Sequence, residues 1–295
     1  MTQAFESLVE RAETLLQRLE QILPPVSKEP DWNSATAFRW RGLDRPERLR
    51  PINHPKTLKL EDIRCIDRQK TIISRNTRQF LQGFPANNVL LWGSRGTGKS
   101  SLIKALLNEY AEQGLRLIEV GREHLVELPD ILEALEDRSE KFILYCDDLS
   151  FEADDASYKR LKAALEGSLS GLAGNVLVYA TSNRRHLLPE YQGENQEAKY
   201  YAGSDLQCEI HHGDTVEEKI SLSERFGLWL SFHPFTQDEY LEIVRYWLDK
   251  LGCLTEDWEP VRLLALRFAL ERGSRSGRVA WQFARDWAGK AMLLN

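Results

Sequence analysis

The sequence predicts an α/β fold: a parallel sheet with helices on both faces, followed by a C-terminal helical lid. Three observations predict it. From residue 56 onward, apolar strand-like runs alternate with helical patterns, as expected when parallel strands are joined by crossover helices. A glycine-rich loop, "GSRGTGKS" at residues 93–100, separates an apolar run from a helical one. Beyond residue 235 only helical periodicity remains. The expected division is an N-terminal helix and connector at 1–55, a sheet domain at 56–234 and a helical lid at 235–295.

Taken in order, residues 1–23 place Phe5, Leu8, Val9, Ala12, Leu15, Leu16 and Leu19 at helical spacing and stop before Pro24-Pro25. This helix either docks on its own domain or meets a partner. The next stretch, up to residue 55, is rich in proline, arginine and tryptophan and reads as an extended connector. Its Arg39, Arg41, Arg45, Arg48 and Arg50, beside Trp32 and Trp40, suit either a solvated face or single-stranded nucleic acid. A helix at about 67–82 then precedes the strand "NVLLW", and a second helix starts at Lys99. The strand "RLIEV", a helix around 129–137, the strand "KFILYCD", a helix near 155–167 and the strand "NVLVYATS" follow. A polar stretch from Arg184 to Lys219 is longer than a simple connection needs, which marks it as functional or mobile. "SLSERFGLWLSFHPF" adds a further helix and strand.

Composition narrows the class. With 295 residues, 42% hydrophobic and 28% charged, the chain can bury a sizeable core as an ordinary globular protein. Its formal net charge of −6 gives no whole-chain electrostatic case for nucleic acid, although a local basic surface stays open. Cys65, Cys146, Cys208 and Cys253 are scattered without a CxxC pair, as expected for reduced thiols in the cytoplasm. The apolar runs are too short for a membrane span, and the N-terminus is acidic and amphipathic rather than a signal peptide, so no membrane partner is expected. Cys208, His211 and His212, with Asp205 and Asp214, match no closed zinc spacing.

The chemistry is concentrated in three places. Gly93, Ser94, Arg95, Gly96, Thr97, Gly98, Lys99 and Ser100 fit GxxxxGK[ST] between a strand and a helix, with Ser101 next in the first turn. Glycines let successive N–H groups turn inward around phosphate oxygens, and the helix N-terminus adds its positive dipole end. Lys99 is expected to reach the β- and γ-phosphates and the Ser100 hydroxyl to ligate Mg²⁺; Arg95 can be a solvent-facing filler. "KFILYCDD" ends a buried strand in two carboxylates: Asp147 as the Mg²⁺ partner and Asp148 to orient water, with Glu152 as an alternative base. Asn183, just past "NVLVYATS", is either a turn residue or a water-positioning group; the second role requires its strand to lie between those of the phosphate loop and Asp147. No NKxD motif argues for guanine, and Ile63 and Ile66 are the expected apolar contacts for adenine.

Together these segments resemble the AAA+ ATPases of the P-loop NTPase class: "GSRGTGKS" as Walker A, "FILYCDD" as Walker B and Asn183 as sensor 1. "LSERFGLWLSF" is similar to the region carrying an arginine finger, with Arg225 as the candidate and Arg184 and Arg185 as rivals. "GSRSGRVAWQF" is similar to a sensor 2 helix, with Arg278 in the sensor position and Arg275 as alternate. Either arginine can instead be a surface charge. Over roughly residues 56–290 the chain most resembles a bacterial family of predicted AAA+ ATPases catalogued as a domain of unknown function. The resemblance implies ATP and Mg²⁺ as cofactors, a homo-oligomer, and hydrolysis that remodels or loads a macromolecular partner. Asp148 stands where most such proteins carry glutamate, so a slowly hydrolysing ATP-dependent switch or adaptor is the alternative. "GREHLVELPD" lacks the aromatic-apolar-glycine pattern of a threading pore loop, and no acceptor pocket for a phosphotransferase is legible.

Overall fold

The computed structural model describes residues 30–53, 58–151, 156–166, 174–184, 187, 222, 224–253 and 257–294, with residues 11, 13 and 15. Most of the helix expected over 1–23 and most of the polar stretch from Arg184 to Lys219 fall outside them, as do Glu152, Arg185 and the Cys208 cluster.

Seven strands form one sheet: β1 (Ala37–Trp40), β2 (Leu49–Pro51), β3 (Val89–Gly93), β4 (Leu115–Glu119), β5 (Lys141–Cys146), β6 (Val176–Ser182) and β7 (Leu228–Phe232). Their order is β2-β1-β4-β5-β6-β3-β7. Every neighbouring pair is parallel except β1 with β2. The helices are α1 (Asp67–Leu81), α2 (Lys99–Tyr110), α3 (Leu128–Glu133), α4 (Ala156–Glu166), α5 (Gln237–Lys250), α6 (Trp258–Glu271) and α7 (Gly277–Leu294).

Parallel strands buried on both faces favour apolar side chains at successive positions. β5 and β6 have them over Phe142 through Cys146 and Val176 through Ala180, with the buried hydroxyls of Thr181 and Ser182 at the end of β6. Alternation divides them between two cores. Val89, Leu91, Ile143 and Tyr179 join Ile73 of α1 and Ile103 of α2 on one face, while Leu90, Phe142, Leu144 and Val178 join Ile131 of α3 and Leu161 of α4 on the other. The alternation of strand and helix therefore fixes the two-faced sheet, as the sequence predicts.

Two expectations change. The connector supplies β1 and β2, which extend the sheet past β4. In "AFRW", Phe38 is fully buried and Arg39 exposed, a period-2 pattern too short to stand out between prolines and arginines. Trp32 packs on Phe38 and Phe142 with ring centroids 4.8 and 5.2 Å away, and Trp40 Nε1 donates to Glu127 Oε2 at 2.6 Å. Both rings are buried and offer no stacking platform for bases. The helix expected at 129–137 is the shorter α3, preceded by a 3₁₀ turn over Arg122–Glu127.

The C-terminal helices form a packed unit. Thr236 caps α5 with a capping box to Glu239, Tyr240 Oη donates to the Ala265 carbonyl at 3.1 Å, and Trp247 meets Trp281 at 4.5 Å between ring centroids. Buried Asp62, just before α1, ties this unit to the sheet region. Its Oδ1 accepts from Tyr246 Oη at 2.6 Å and pairs with Lys250, and its Oδ2 accepts from the Lys59 N–H at 2.8 Å.

Candidate functional site

The loop between β3 and α2 has a backbone that only glycine suits at three points: φ is 126° at Gly93, 74° at Gly96 and 101° at Gly98. Space adds a second constraint at two of them. A Cβ on Gly93 would lie 2.0 Å from the Phe232 carbonyl oxygen, and one on Gly96 would lie 2.8 Å from Ser276 Cβ. Gly98 is the N-cap of α2 and no side chain caps the helix, which leaves its first N–H groups free to face an anion. Thr97 Oγ1 donates to the Ser94 carbonyl at 2.7 Å, closing the loop. Ser101 follows in the first turn, half-buried.

Lys99 is buried, and its Nζ donates to the Gly93 and Ser94 carbonyls at 2.6 and 2.8 Å and to Asn183 Oδ1 at 3.2 Å. Burial pulls its pKa below the usual lysine value, Asp148 and Asp147 oppose this, and Arg95 and Arg278 reinforce it. These partners are carbonyls and an amide oxygen, and no side chain caps the N–H groups at the start of α2.

β6 lies between β5 and β3, the arrangement required for Asn183 to face the phosphate loop. Asn183 Nδ2 donates to Asp148 Oδ1, whose other oxygen lies 4.0 Å from Arg95 Nη2. Asp148 adopts φ 51°, a left-handed conformation that aspartate tolerates better than most residues. Its N–H donates to Thr181 Oγ1 at 2.9 Å.

Asp147 Oδ1 accepts from Ser100 Oγ at 2.7 Å and from Thr181 Oγ1 at 2.6 Å. Burial alone would raise its pKa; hydroxyl donors around it, Thr181 and Ser100 foremost, hold it below the usual carboxylate value. Beneath this pair lies a residue the sequence reading missed. Tyr145 is fully buried, and burial first and Asp147 second push its phenol well above the usual range. Its Oη sits close enough to Asp147 and Ser100 to feel them, yet makes no hydrogen bond of acceptable geometry. An orphaned buried hydroxyl beside a carboxylate and a serine hydroxyl fits a site built for a hydrated cation. Among the described residues no cluster of three or more Cys, His, Asp or Glu could hold a metal alone, so a cation here would also depend on phosphate oxygens.

The remaining candidates separate by position. Arg278, exposed in the first turn of α7, lies close enough for its charge to act on Lys99. The turn itself is bonded to the loop: Gly277 N–H donates to the Gly96 carbonyl at 2.9 Å. Arg275 lines a groove of about 700 Å³ with Ser94, Arg95, Thr97, Phe235 and Leu270. Ile63 and Ile66 are buried against Gly98, with a Cβ there 3.4 and 3.7 Å from their methyl carbons. Arg184 is exposed just past β6, on the phosphate-loop side. Arg225 is exposed at the other end of the sheet. It precedes β7, whose far end pairs Phe232 with Gly93, and a five-residue strand spans roughly 16 Å. Arg225 therefore cannot touch the loop of its own chain.

Two solved structures share the fold. The Thermotoga maritima RuvB Holliday junction branch migration motor superposes with a TM-score of 0.50 at 16% identity, over 77% of this chain and 63% of that one. The Aeropyrum pernix ORC1 protein in complex with DNA gives 0.53 at 14% identity, over 83% of this chain and 63% of that one. The chain thus spans less than two thirds of either neighbour. Both are AAA+ P-loop ATPases, and the mostly parallel sheet with its helical C-terminal region is the AAA+ fold. No curated protein matches the chain. A family model described as "Protein of unknown function (DUF815)" matches residues 33–291, and the chain belongs to that family.

Proposed function

We propose that this protein binds ATP with Mg²⁺ in the loop between β3 and α2 and hydrolyses it to change the conformation of a macromolecular partner. The single observation that carries the reading is the uncapped N-terminus of α2 behind three positive-φ glycines, with the Lys99 ammonium held at the same loop by the Gly93 and Ser94 carbonyls. Lys99 would swing from the Gly93 and Ser94 carbonyls to phosphate oxygens, and the Gly96 to Ser100 amides would cradle them. Ser100 and Asp147 would hold Mg²⁺, which supplies charge neutralisation on the phosphates. Asp148 and Asn183, bonded to each other, would hold a water, and Asp148 would accept its proton at a carboxylate oxygen. Arg278 would draw α7 against the phosphates, and Ile63 and Ile66 would contact adenine.

Arg225 fits a homo-oligomer: at the strand end away from the loop of its own chain, it could reach a bound nucleotide only in the site of another copy. The exposed Leu263, Leu264 and Leu270 on α6 offer apolar surface for such assembly. The division at 234 belongs to this reading, with the last segment as the closing lid, whereas the division at 55 gives way because β1 and β2 join the sheet.

A second reading is favoured by Asp148. It is one methylene shorter than glutamate, and Asn183 and Arg95 engage both its oxygens. That geometry supports a switch that binds ATP and turns it over slowly. ATP turnover by wild type, Lys99→Ala and Asp148→Asn, with oligomer size measured with and without nucleotide, separates the two. Turnover that requires both residues and rises with assembly supports the remodelling reading; tight binding without turnover supports the switch. Absence of both binding and turnover defeats both.

A further inference from the structure

The β1–β2 hairpin carries a charge pattern that the nucleotide site does not use. Between residues 30 and 53 every cation is an arginine, five in all, in a chain of net charge −6. Register sets Arg39 directly opposite Arg50, so both project from one face of the hairpin. Like charges placed this way repel. Arg39 has an offset: its Nε and Nη2 donate to Glu119 Oε2 at 3.0 and 2.8 Å, from the in-register position on β4. Arg41 and Arg50 are exposed, and neither makes a side-chain ion pair among the described residues. With Arg39, Glu47, Ile52 and Asn53 they line a cavity of about 390 Å³.

The surroundings select the occupant. Pro51 ends β2 and lacks an N–H, which disfavours a peptide adding as a further strand. None of the exposed large apolar side chains among the described residues lies on the hairpin, so a lipid surface would find nothing to insert. Trp32 and Trp40 are buried, which removes base stacking. Guanidinium forks without aromatic platforms match phosphate oxygens and ignore base identity. Five strand spacings, roughly 24 Å, separate β2 from β3, so the cavity is distinct from the loop before α2.

We propose that the cavity formed by Arg39, Arg41 and Arg50 binds the phosphodiester backbone of a nucleic acid without reading its sequence. The inference names the partner that the proposed function leaves open, and rests on that reading for its purpose alone. It is tested without nucleotide, by fluorescence anisotropy of labelled oligonucleotides of two unrelated sequences titrated with wild type and with the Arg41→Glu/Arg50→Glu double variant. Arg39 is left intact because its pair with Glu119 fastens β1 to β4. Wild type should bind both sequences alike, with an affinity that falls as salt rises. The variant should bind at least about tenfold more weakly, with a log–log salt slope shallower by about 1.4 for two lost phosphate contacts on a single strand. If charge reversal disturbs folding, Arg41→Gln/Arg50→Gln should show the same loss with an unchanged melting temperature. Equal affinity of wild type and variants, strong preference for one sequence, or binding to phosphatidylserine vesicles but not to oligonucleotides overturns the proposal. ATP binding measured on the same samples keeps the claims apart: protein that takes up ATP but no oligonucleotide defeats this inference alone.

Discussion

The N–H of Gly277 donates to the carbonyl of Gly96 across 2.9 Å, so the first turn of α7 is bonded to the loop before α2. Ser276 Oγ accepts from the Val279 N–H at 3.3 Å and stiffens that turn. The loop and the helical region are therefore in direct contact. Arg278 sits in this turn and adds to the positive charge around Lys99. Arg278→Ala should weaken ATP binding by about tenfold, the loss of one charge-assisted contact, with the melting temperature of the free protein unchanged because the side chain is exposed. Equilibrium titration with a fluorescent ATP analogue checks this.

Asp148 combines a left-handed backbone with a short side chain. Asp148→Glu lengthens its reach by one methylene and should raise ATP turnover several-fold. Glutamate tolerates that backbone less well, so stability should fall by about 1 kcal/mol. Steady-state turnover and urea unfolding of the same variant measure the two effects.

Arg225 is exposed at the end of the sheet away from the loop of its own chain. Arg225→Ala should keep ATP affinity and lose turnover by about 10³-fold, the range for a cation supplied to a transferring phosphoryl group. Mixing Arg225→Ala with Lys99→Ala should restore part of the activity, because a site with Lys99 on one chain can take Arg225 from the other. Turnover assays on the mixture, against each variant alone, decide the matter.

Asp62 joins the sheet region to α5. Burial alone would raise its pKa; Lys250, Tyr246 and the Lys59 N–H bring it below the usual carboxylate value. A depressed acid contributes stability above its unfolded pKa of about 3.9, and that stability is lost as pH falls through the folded value. Lys250, raised chiefly by Asp62, contributes below the ordinary lysine value and loses this as pH rises through its folded one. Asp62→Asn should cost about 1–3 kcal/mol at neutral pH, at the lower end because Lys250 stays partly exposed, and the loss should shrink in acid. Thermal unfolding across pH tests the sign.

Much of the candidate site is legible in the sequence, because a loop with φ near 126°, 74° and 101° at Gly93, Gly96 and Gly98 demands glycines at set spacing, and a buried strand has no structural use for terminal carboxylates. Gly93 through Ser100 and Asp147 are readable for that reason, whereas Asn183 on its own fits a turn residue equally well and is singled out only by the resemblance. Thr181 and Tyr145 are not obvious, since threonine and tyrosine suit strands anyway. The signal that finds them is period 2: Tyr145 stands two residues before Asp147, and Thr181 two before Asn183, so each shares a strand face with a residue already singled out. The hairpin of β1 and β2 stays hidden because four- and three-residue strands carry too little alternation, and sheet partnership with β4 is a long-range property.

The most direct measurement is isothermal titration of ATP into the full chain, with and without Mg²⁺, for wild type and Lys99→Ala. Saturable uptake that strengthens with Mg²⁺ and drops at least about a hundredfold in Lys99→Ala is the predicted result. Folded wild-type protein that takes up no ATP, or that binds it equally well without Lys99, would contradict the claim that the amides before α2 hold its phosphates.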